Sequence, residues 1–262
     1  MSFHPDNGAP PFSEEIKAHP SARDCSMPMG WTSENVAAEF DVSRAEMDEY
    51  AALSFQRAER ADKAGIFTDE IVPFTAFVND PDTGRRTTKI VTKDDGIRYG
   101  TTKESLSKVR PAFPQWGRAQ TTGGNASQIT DGAAAVMLMR RSKAEELGVR
   151  ILGKHVTTAV AGLAPRIMGI GPYYAIPVAL ELAGITKDDV DVWEINEAFA
   201  SQYVYCIKGL GLDVEKVNVN GGAIALGHPL DKYPGKRDRS SALIRRGFFT
   251  VYRCPSDCYW IQ

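Results

Sequence analysis

What this 262-residue chain does not contain narrows its function before any motif is found. No apolar run is long enough to span a bilayer, and Met1 to Pro20 is polar and proline-containing, without the apolar core of a secretory leader. Cysteine is scarce: Cys25, Cys206, Cys254 and Cys258 are too few in a chain of this length for a disulfide scaffold, so a reducing compartment is the default. There is no excess of one charge, with 31 Lys and Arg against 33 Asp and Glu and a net charge of -2, which argues against nucleic acid or an anionic membrane as the main partner. Catalytic signatures are missing too. There is no Gly-x-Ser-x-Gly elbow, no Gly-x-Gly-x-x-Gly fingerprint and no Walker phosphate loop, and Met168-Gly169-Ile170-Gly171 is too short and wrongly placed to replace them. The histidines and cysteines are too scattered for a zinc site, and Cys254-x-x-x-Cys258 lies in an atypical tail.

What remains, with 43% hydrophobic and 24% charged residues, is ordinary globular composition and room for one large or two ordinary domains. Charge marks one boundary. Residues 231–262 hold seven Lys and Arg against three Asp and Glu, a balance of +4, whereas the rest of the chain carries -6. Asp231 to Arg239 has no apolar period and reads as a surface appendage, followed by a short helix or strand over Ser241 to Tyr252.

Residues 1–30 read as loop, rich in proline and short polar side chains. Ser43-x-x-Glu46 is a capping box, Met47, Ala51, Phe55 and Ala58 recur at helical spacing, and Gly65 supplies the stop. Val72, Phe74, Ala76 and Val78 alternate as in an edge strand, and Asn79 to Gly84 turns the chain into a polar strand near 86–92. Beyond Pro111 the pattern becomes α/β. Ala133 to Met139 reads as a strand buried on both faces, Ser142-x-x-Glu145 as the cap of a short helix ending at Gly148, and Ile151 to Val160 as a strand. A helix opens at Pro172 and closes at Gly184; then Val190 to Ile195 reads as strand, Glu197 to Lys208 as helix and Val217 to Val219 as strand.

Three small-residue or asparagine loops adjoin these strands, where active-site groups of α/β folds concentrate. In the first, Asn220-Gly221-Gly222 leads to Gly227-His228-Pro229. Glycine admits close approach, proline fixes the loop and histidine suits proton transfer near neutrality, although a histidine here could equally satisfy a backbone group in a tight turn. In the second, Asn196-Glu197-Ala198-Phe199-Ala200 joins strand to helix; Asn196 could hold a water, polarise a carbonyl or cap the helix. The third, Gly123-Gly124-Asn125-Ala126-Ser127, would let a ligand approach the backbone.

Taken in order, Met27 to Val36, Asp95-Gly96-Ile97-Arg98, Lys108 to Phe113, Gly124 to Ser127, Asp131 to Ala134, Gly169 to Pro172, Asn196 to Ala200 and Asn220 to Pro229 resemble the thiolase family, most closely its peroxisomal 3-ketoacyl-CoA branch. The resemblance covers roughly residues 14–230. It implies a layered αβαβα fold, here incomplete: residues 1–110 as loop domain and remnant of the N-terminal half, 111–230 as a partial C-terminal domain, and 231–262 as a divergent basic tail. It implies an acetyl-CoA C-acyltransferase of fatty-acid β-oxidation. In that chemistry a cysteine thiolate is acylated by a 3-oxoacyl-CoA, acetyl-CoA leaves, and coenzyme A, a co-substrate rather than a cofactor, takes the shortened chain. By the same resemblance His228 and Asn196 are the catalytic acid/base and oxyanion residues, Ser127 lies near the pantetheine arm, and Arg98 near the CoA nucleotide. No metal is implied. The location implied is peroxisomal, with mitochondria and cytosol left open, and the assembly is a homo-oligomer or a pairing with a full-length thiolase.

The chain departs from the family in three places. Neither the Cys-Ser-Ser/Ala-Gly-type nucleophile motif nor the Cys-x-Gly motif occurs, and Asp231 replaces the family's glycine-rich continuation after Leu230. Impaired turnover, unpaired strand edges and marginal stability are therefore expected, and two further readings stand beside the enzyme: a non-catalytic CoA-binding or dimer-modulating partner of a full-length thiolase, and a gene-model fragment without function.

Overall fold

The computed structural model describes residues 12–80, 83–132, 136–229, 242–243, 250–252 and 259–261. After two short helices, α1 (Glu14–Ala18) and α2 (Pro20–Cys25), come α3 (Met29–Glu39) and the long α4 (Arg44–Lys63). The segment expected as loop up to residue 30 is thus mostly helical where it is described, with His19 and residues 26–28 as the breaks. Ser13 caps α1 through Ile16 N, and Pro20 opens α2 at a position where its missing N–H costs nothing.

The α4 expectation holds in detail. Ser43 and Glu46 form the reciprocal capping box, and Gly65 ends the run at φ +70°. Met47, Ala51, Phe55 and Ala58 are buried against Ala200, Val204, Ile224 and Ala225, each larger aliphatic contributing roughly 1.5–3 kcal/mol. The alanines on this face let the helix backbones approach closely.

β1 (Phe74–Asn79) and β2 (Arg86–Val91) form the expected antiparallel hairpin, from Phe74 opposite Val91 to Asn79 opposite Arg86. α5 (Lys103–Ser107) then leads to β3 (Ile129–Gly132), α6 (Arg141–Glu146), β4 (Lys154–Thr157), α7 (Gly171–Ala183), β5 (Val192–Glu194), α8 (Ala200–Leu210), α9 (Ala223–Leu226) and β6 (His228–Pro229). A second core joins Ile176 and Ala179 of α7 to Trp193, Ile195, Val217 and, on α8, Tyr203 and Ile207. α8 therefore sits between the two cores, burying Val204 in one and Ile207 in the other.

Several expectations change. Residues 133–135 of the run expected as a buried strand lie outside the described residues; Val136 to Met139 is neither strand nor buried, with Met137 82% exposed. A strand hidden on both faces needs partners along both edges, and no described strand flanks this run. α6 begins two residues early, after Arg140 and without a side-chain cap, rather than at Ser142. Strand shrinks to Lys154–Thr157 within 151–160 and to Val192–Glu194 within 190–195, and Val217 makes only an isolated bridge to Trp193. α8 starts at Ala200 rather than Glu197 because residues 195–199 are held by bonds to other segments of the same chain, among them Asn218, Ser54 and Ser127. α7 runs as expected to Gly184, which sits at φ +68°. In the expected surface appendage, residues 231–241 lie outside the described residues; Ala242–Leu243 pairs with β3, Thr250–Tyr252 with β5 and Tyr259–Ile261 with β4. No helix among the described residues is long and apolar enough to cross a membrane.

Candidate active site

Two chain segments far apart in sequence are drawn together by one buried carboxylate. Glu197, fully buried, accepts hydrogen bonds from Ser54 Oγ (2.6 Å), Asn218 Nδ2 (2.8 Å) and Ile224 N (3.2 Å). Burial pushes its pKa up, opposed by those donors and by Arg57. Asn218, at φ +47°, extends β5 with its side chain: Oδ1 accepts from Ile195 N and Nδ2 donates to Ile195 O, both at 2.8 Å. Gly222 lies so close that a Cβ there would stand 2.3 Å from Glu197 Cδ. The segment 195–197 and the turn 218–224 are thereby locked to each other and to α4.

From this lock the chain runs through α9 to Gly227, whose φ of +95° only glycine adopts readily, and delivers His228. The His228 backbone donates to Gln128 O at 2.7 Å, and β6 pairs in parallel with β3, Ile129 opposite His228 and Thr130 opposite Pro229. On the other side, Gln202 Nε2 donates to the backbone carbonyl of Asn196 at 2.9 Å and holds that segment in place. Asn196 Nδ2 stands 3.4 Å from His228 Nε2. With the amide nitrogen as donor, Nε2 is the acceptor and the ring proton sits on Nδ1. His228 is half-buried, and burial lowers its pKa below the ordinary imidazole range while the Pro229 carbonyl works the other way. Near neutrality it is an uncharged base.

Both residues line a cavity of about 420 Å³. Its walls are mostly apolar, from Met29, Met168, Pro172, Ile176, Leu180 and Phe199, with Thr32 and Gln202 as further polar groups. A neutral base, an amide donor and an apolar chamber suit a carbonyl group on a carbon chain.

The other two expected residues are not part of this cavity's lining. Ser127 is half-buried; its N–H donates to Ala198 O at 3.0 Å, which fixes the third loop against the Asn196 segment. Arg98 is exposed in a loop whose Gly96 packs on the Ala225 and Leu226 carbonyls. Neither described cysteine lines the cavity: Cys25 is exposed in α2, and Cys206 is buried in α8 with its thiol pushed up to about 12 by burial. No group of three or more His, Cys, Asp or Glu among the described residues could hold a metal ion.

Sequence reasoning carried Glu197 and Asn218 only as members of longer stretches and missed Gln128 and Ser54. A strand-end acid at Glu197, with a Gly221-Gly222 pair in the next strand-end turn, is the signal that could have flagged the lock. Nothing local marks Ser54 within a regular helix.

Comparison with known proteins gives a consistent picture. Residues 18–142 match the thiolase N-terminal domain and residues 149–243 the thiolase C-terminal domain. The chain is 55% identical over 226 residues to the peroxisomal 3-ketoacyl-CoA thiolase of Homo sapiens, covering 86% of this chain and 53% of the relative. It is 56% identical over 219 residues to 3-ketoacyl-CoA thiolase B of Rattus norvegicus, covering 84% and 51%. Among solved structures, the dimeric peroxisomal thiolase of Saccharomyces cerevisiae superposes with a TM-score of 0.71 at 47% identity, over 83% of this chain and 53% of that one. Human mitochondrial 3-ketoacyl-CoA thiolase in complex with CoA gives 0.65 at 37% identity, over 79% and 49%. The chain spans about half the length of the curated relatives it matches.

Proposed function

The chain belongs to the thiolase family and carries part of its α/β fold, and on that premise we propose that it supplies the acid/base and oxyanion groups of a 3-oxoacyl-CoA thiolysis site. The observation that carries this reading is the 3.4 Å approach of Asn196 Nδ2 to a half-buried, uncharged His228 at the wall of an apolar cavity.

In this chemistry His228 takes the proton of a cysteine thiol, and the thiolate attacks the C3 carbonyl carbon of the substrate. Asn196, directly or through a water, donates to the oxygen that becomes negative, a contribution of about 10²–10³ in rate for each such donor. The C2–C3 bond then breaks and acetyl-CoA leaves as its enolate, which takes up the equivalent of the proton that His228 removed, so that the histidine is uncharged again for the second half. The CoA thiol next attacks the acyl-cysteine thioester, giving its proton to His228 and restoring the cysteine as leaving group. Ser127 adjoins the pantetheine arm and Arg98 the nucleotide, with CoA as co-substrate. The division that goes with this reading is 1–110 as loop domain and N-terminal remnant, 111–230 as partial C-terminal domain and 231–262 as a divergent tail. By likeness to its relatives the site operates in peroxisomes within a dimer.

The thiol is the missing participant. Neither Cys25 nor Cys206 reaches the cavity, so the nucleophile must be contributed from outside the described residues. Cys254 and Cys258 lie outside the described residues, but neither stands in a Cys-Ser-Ser/Ala-Gly-type or Cys-x-Gly motif. A polypeptide of these 262 residues is therefore expected to give absent or very weak thiolysis of acetoacetyl-CoA with CoA. Turnover near that of a complete thiolase would overturn this.

One observation favours a second reading, in which the chain pairs with a full-length thiolase as a CoA-binding or dimer-modulating partner. Val136 to Leu138 are more than half exposed, an apolar stretch that a partner chain would cover. Co-expression with a full-length thiolase followed by size-exclusion chromatography tests it; unchanged elution of both chains would count against pairing.

A further inference from the structure

Gln128 occupies a junction that the catalytic reading leaves unused. It follows Ser127 at the start of β3 and is half-buried. Its side-chain Nε2 donates to Gly96 O at 3.0 Å and to Ile224 O at 3.2 Å, and its backbone carbonyl accepts the His228 N–H at 2.7 Å. One residue thus grips three segments: the loop that continues to Arg98, the body of α9, and the histidine itself. The Ile224 carbonyl lies at the end of a helix of four residues, where acceptors run out of intrahelical donors, so Gln128 satisfies a group that α9 cannot. Gly96 is pressed to the same helix, its Cβ direction 3.4 Å from both Ala225 O and Leu226 O, so the loop and α9 meet closely through backbone at this point. The side-chain amide of Gln128 bridges that contact with hydrogen bonds.

We propose that Gln128 is a positioning residue for His228, clamping the Gly96 loop and α9 together so that the imidazole is presented to Asn196 in one orientation and one tautomer. The inference rests on the reading of His228 as the proton acceptor. Without the two side-chain donors, the carbonyls of Gly96 and Ile224 must find water. Water entering between loop and helix loosens α9 at Ile224, three residues before Gly227, and it hydrates the ring.

The test uses the full chain labelled with ¹⁵N-histidine. It has four histidines, so His228→Gln assigns the signal. Wild type is expected to show a single Nδ1–H tautomer at neutral pH and a midpoint below the ordinary imidazole value. Gln128→Met keeps side-chain length and removes both donors. It is expected to raise the His228 midpoint by roughly half a pH unit and to mix the two tautomers, with the other histidines unmoved. Gln128→Glu, a second variant in case Met does not fold, replaces the donors with acceptors and is expected to shift His228 in the same direction. Unchanged His228 signals in either folded variant, whatever happens to Tm, would reduce Gln128 to packing and overturn the inference. If wild-type His228 itself titrates at the ordinary value with mixed tautomers, the reading of His228 fails and the inference falls with it. The two failures are distinguished by which protein shows the change.

Discussion

Asn196 and His228 are 32 residues apart in sequence, yet the amide Nδ2 of one stands 3.4 Å from the ring Nε2 of the other. Neither side chain reaches the other by local geometry. Asn196 is held from behind by Gln202 and precedes a buried carboxylate, and that carboxylate, Glu197, accepts the N–H of Ile224, four residues before the histidine. The approach is thus a product of the Ser54–Glu197–Asn218 lock, and it ties the stability of the turn to the chemistry.

The protonation of His228 should be visible in stability. Its pKa is lowered in the fold, chiefly by burial. Above the unfolded value, about 6.5, both states are uncharged and the residue contributes no pH dependence. As pH falls below that value the unfolded chain binds the proton first, so stability declines until the lower folded value is passed. Urea midpoints at pH 7 and pH 5 should therefore fall more steeply in wild type than in His228→Gln. Parallel losses in the two proteins would show that the histidine is not buried as described.

Gly222 tests the lock itself. Its φ of -129° suits any residue, so its requirement is space alone. An added Cβ would meet Glu197 Cδ at 2.3 Å and its two oxygens at 2.5 and 2.6 Å, and those atoms are pinned by three donors. Gly222→Ala is expected to cost about 2–3 kcal/mol in denaturant unfolding, the range of overpacked cores. A loss under about half a kcal/mol would mean that the carboxylate moves freely.

How far the sequence could be read depended on whether a segment's order is local. α4 was legible to its cap, because the Ser43–Glu46 box and the Met47-Ala51-Phe55-Ala58 stripe are encoded within the helix. So was α7, between Pro172 and Gly184. The histidine and asparagine of the site were legible from their motifs. α3 was not. Its buried face is Gly30, Thr32, Ser33, Glu34, Val36 and Ala37, so no apolar period announces it. What buries that face is tertiary: Glu34 accepts the N–H groups of Gln120 and Thr121, and Ser33 shares hydroxyl contacts at 2.8 Å with Thr121 and Ser201. The opposite error arose at Val136 to Met139, whose apolar run is exposed because a period-free pattern states a preference for burial and does not supply the partner.

Acid should weaken the contact between α4 and α8. Lys208 and, less strongly, Ser43 hold the Glu46 carboxyl down to about 2. A depressed carboxyl contributes stability that is fully present above its unfolded value of about 4.5 and is lost as pH falls through the folded value. Lys208→Met should therefore destabilise the chain at pH 7 by about 0.5 kcal/mol, an effect kept small because water screens a pair this exposed. The difference from wild type should shrink below pH 4.5, vanish near pH 2, and diminish in 1 M salt at neutral pH. A difference independent of pH would assign the loss to the lysine's methylenes instead.

The two described cysteines make opposite predictions about thiol chemistry. Cys25 is exposed on α2, whereas Cys206 has no exposed surface and lies beneath Tyr173, its thiol pushed up to about 12 by burial. At pH 8 only about one Cys206 in 10⁴ is a thiolate, and no reagent can reach it without opening α8. Iodoacetamide followed by peptide mass mapping should therefore modify Cys25 within minutes and leave Cys206 intact until urea unfolds the chain. Because α8 spans both cores, the urea dependence of Cys206 labelling should follow the global unfolding curve rather than an earlier local one. Labelling of Cys206 at the rate of Cys25 in native buffer would overturn the packing of α8, and it would reopen the question of whether this thiol serves the His228 cavity.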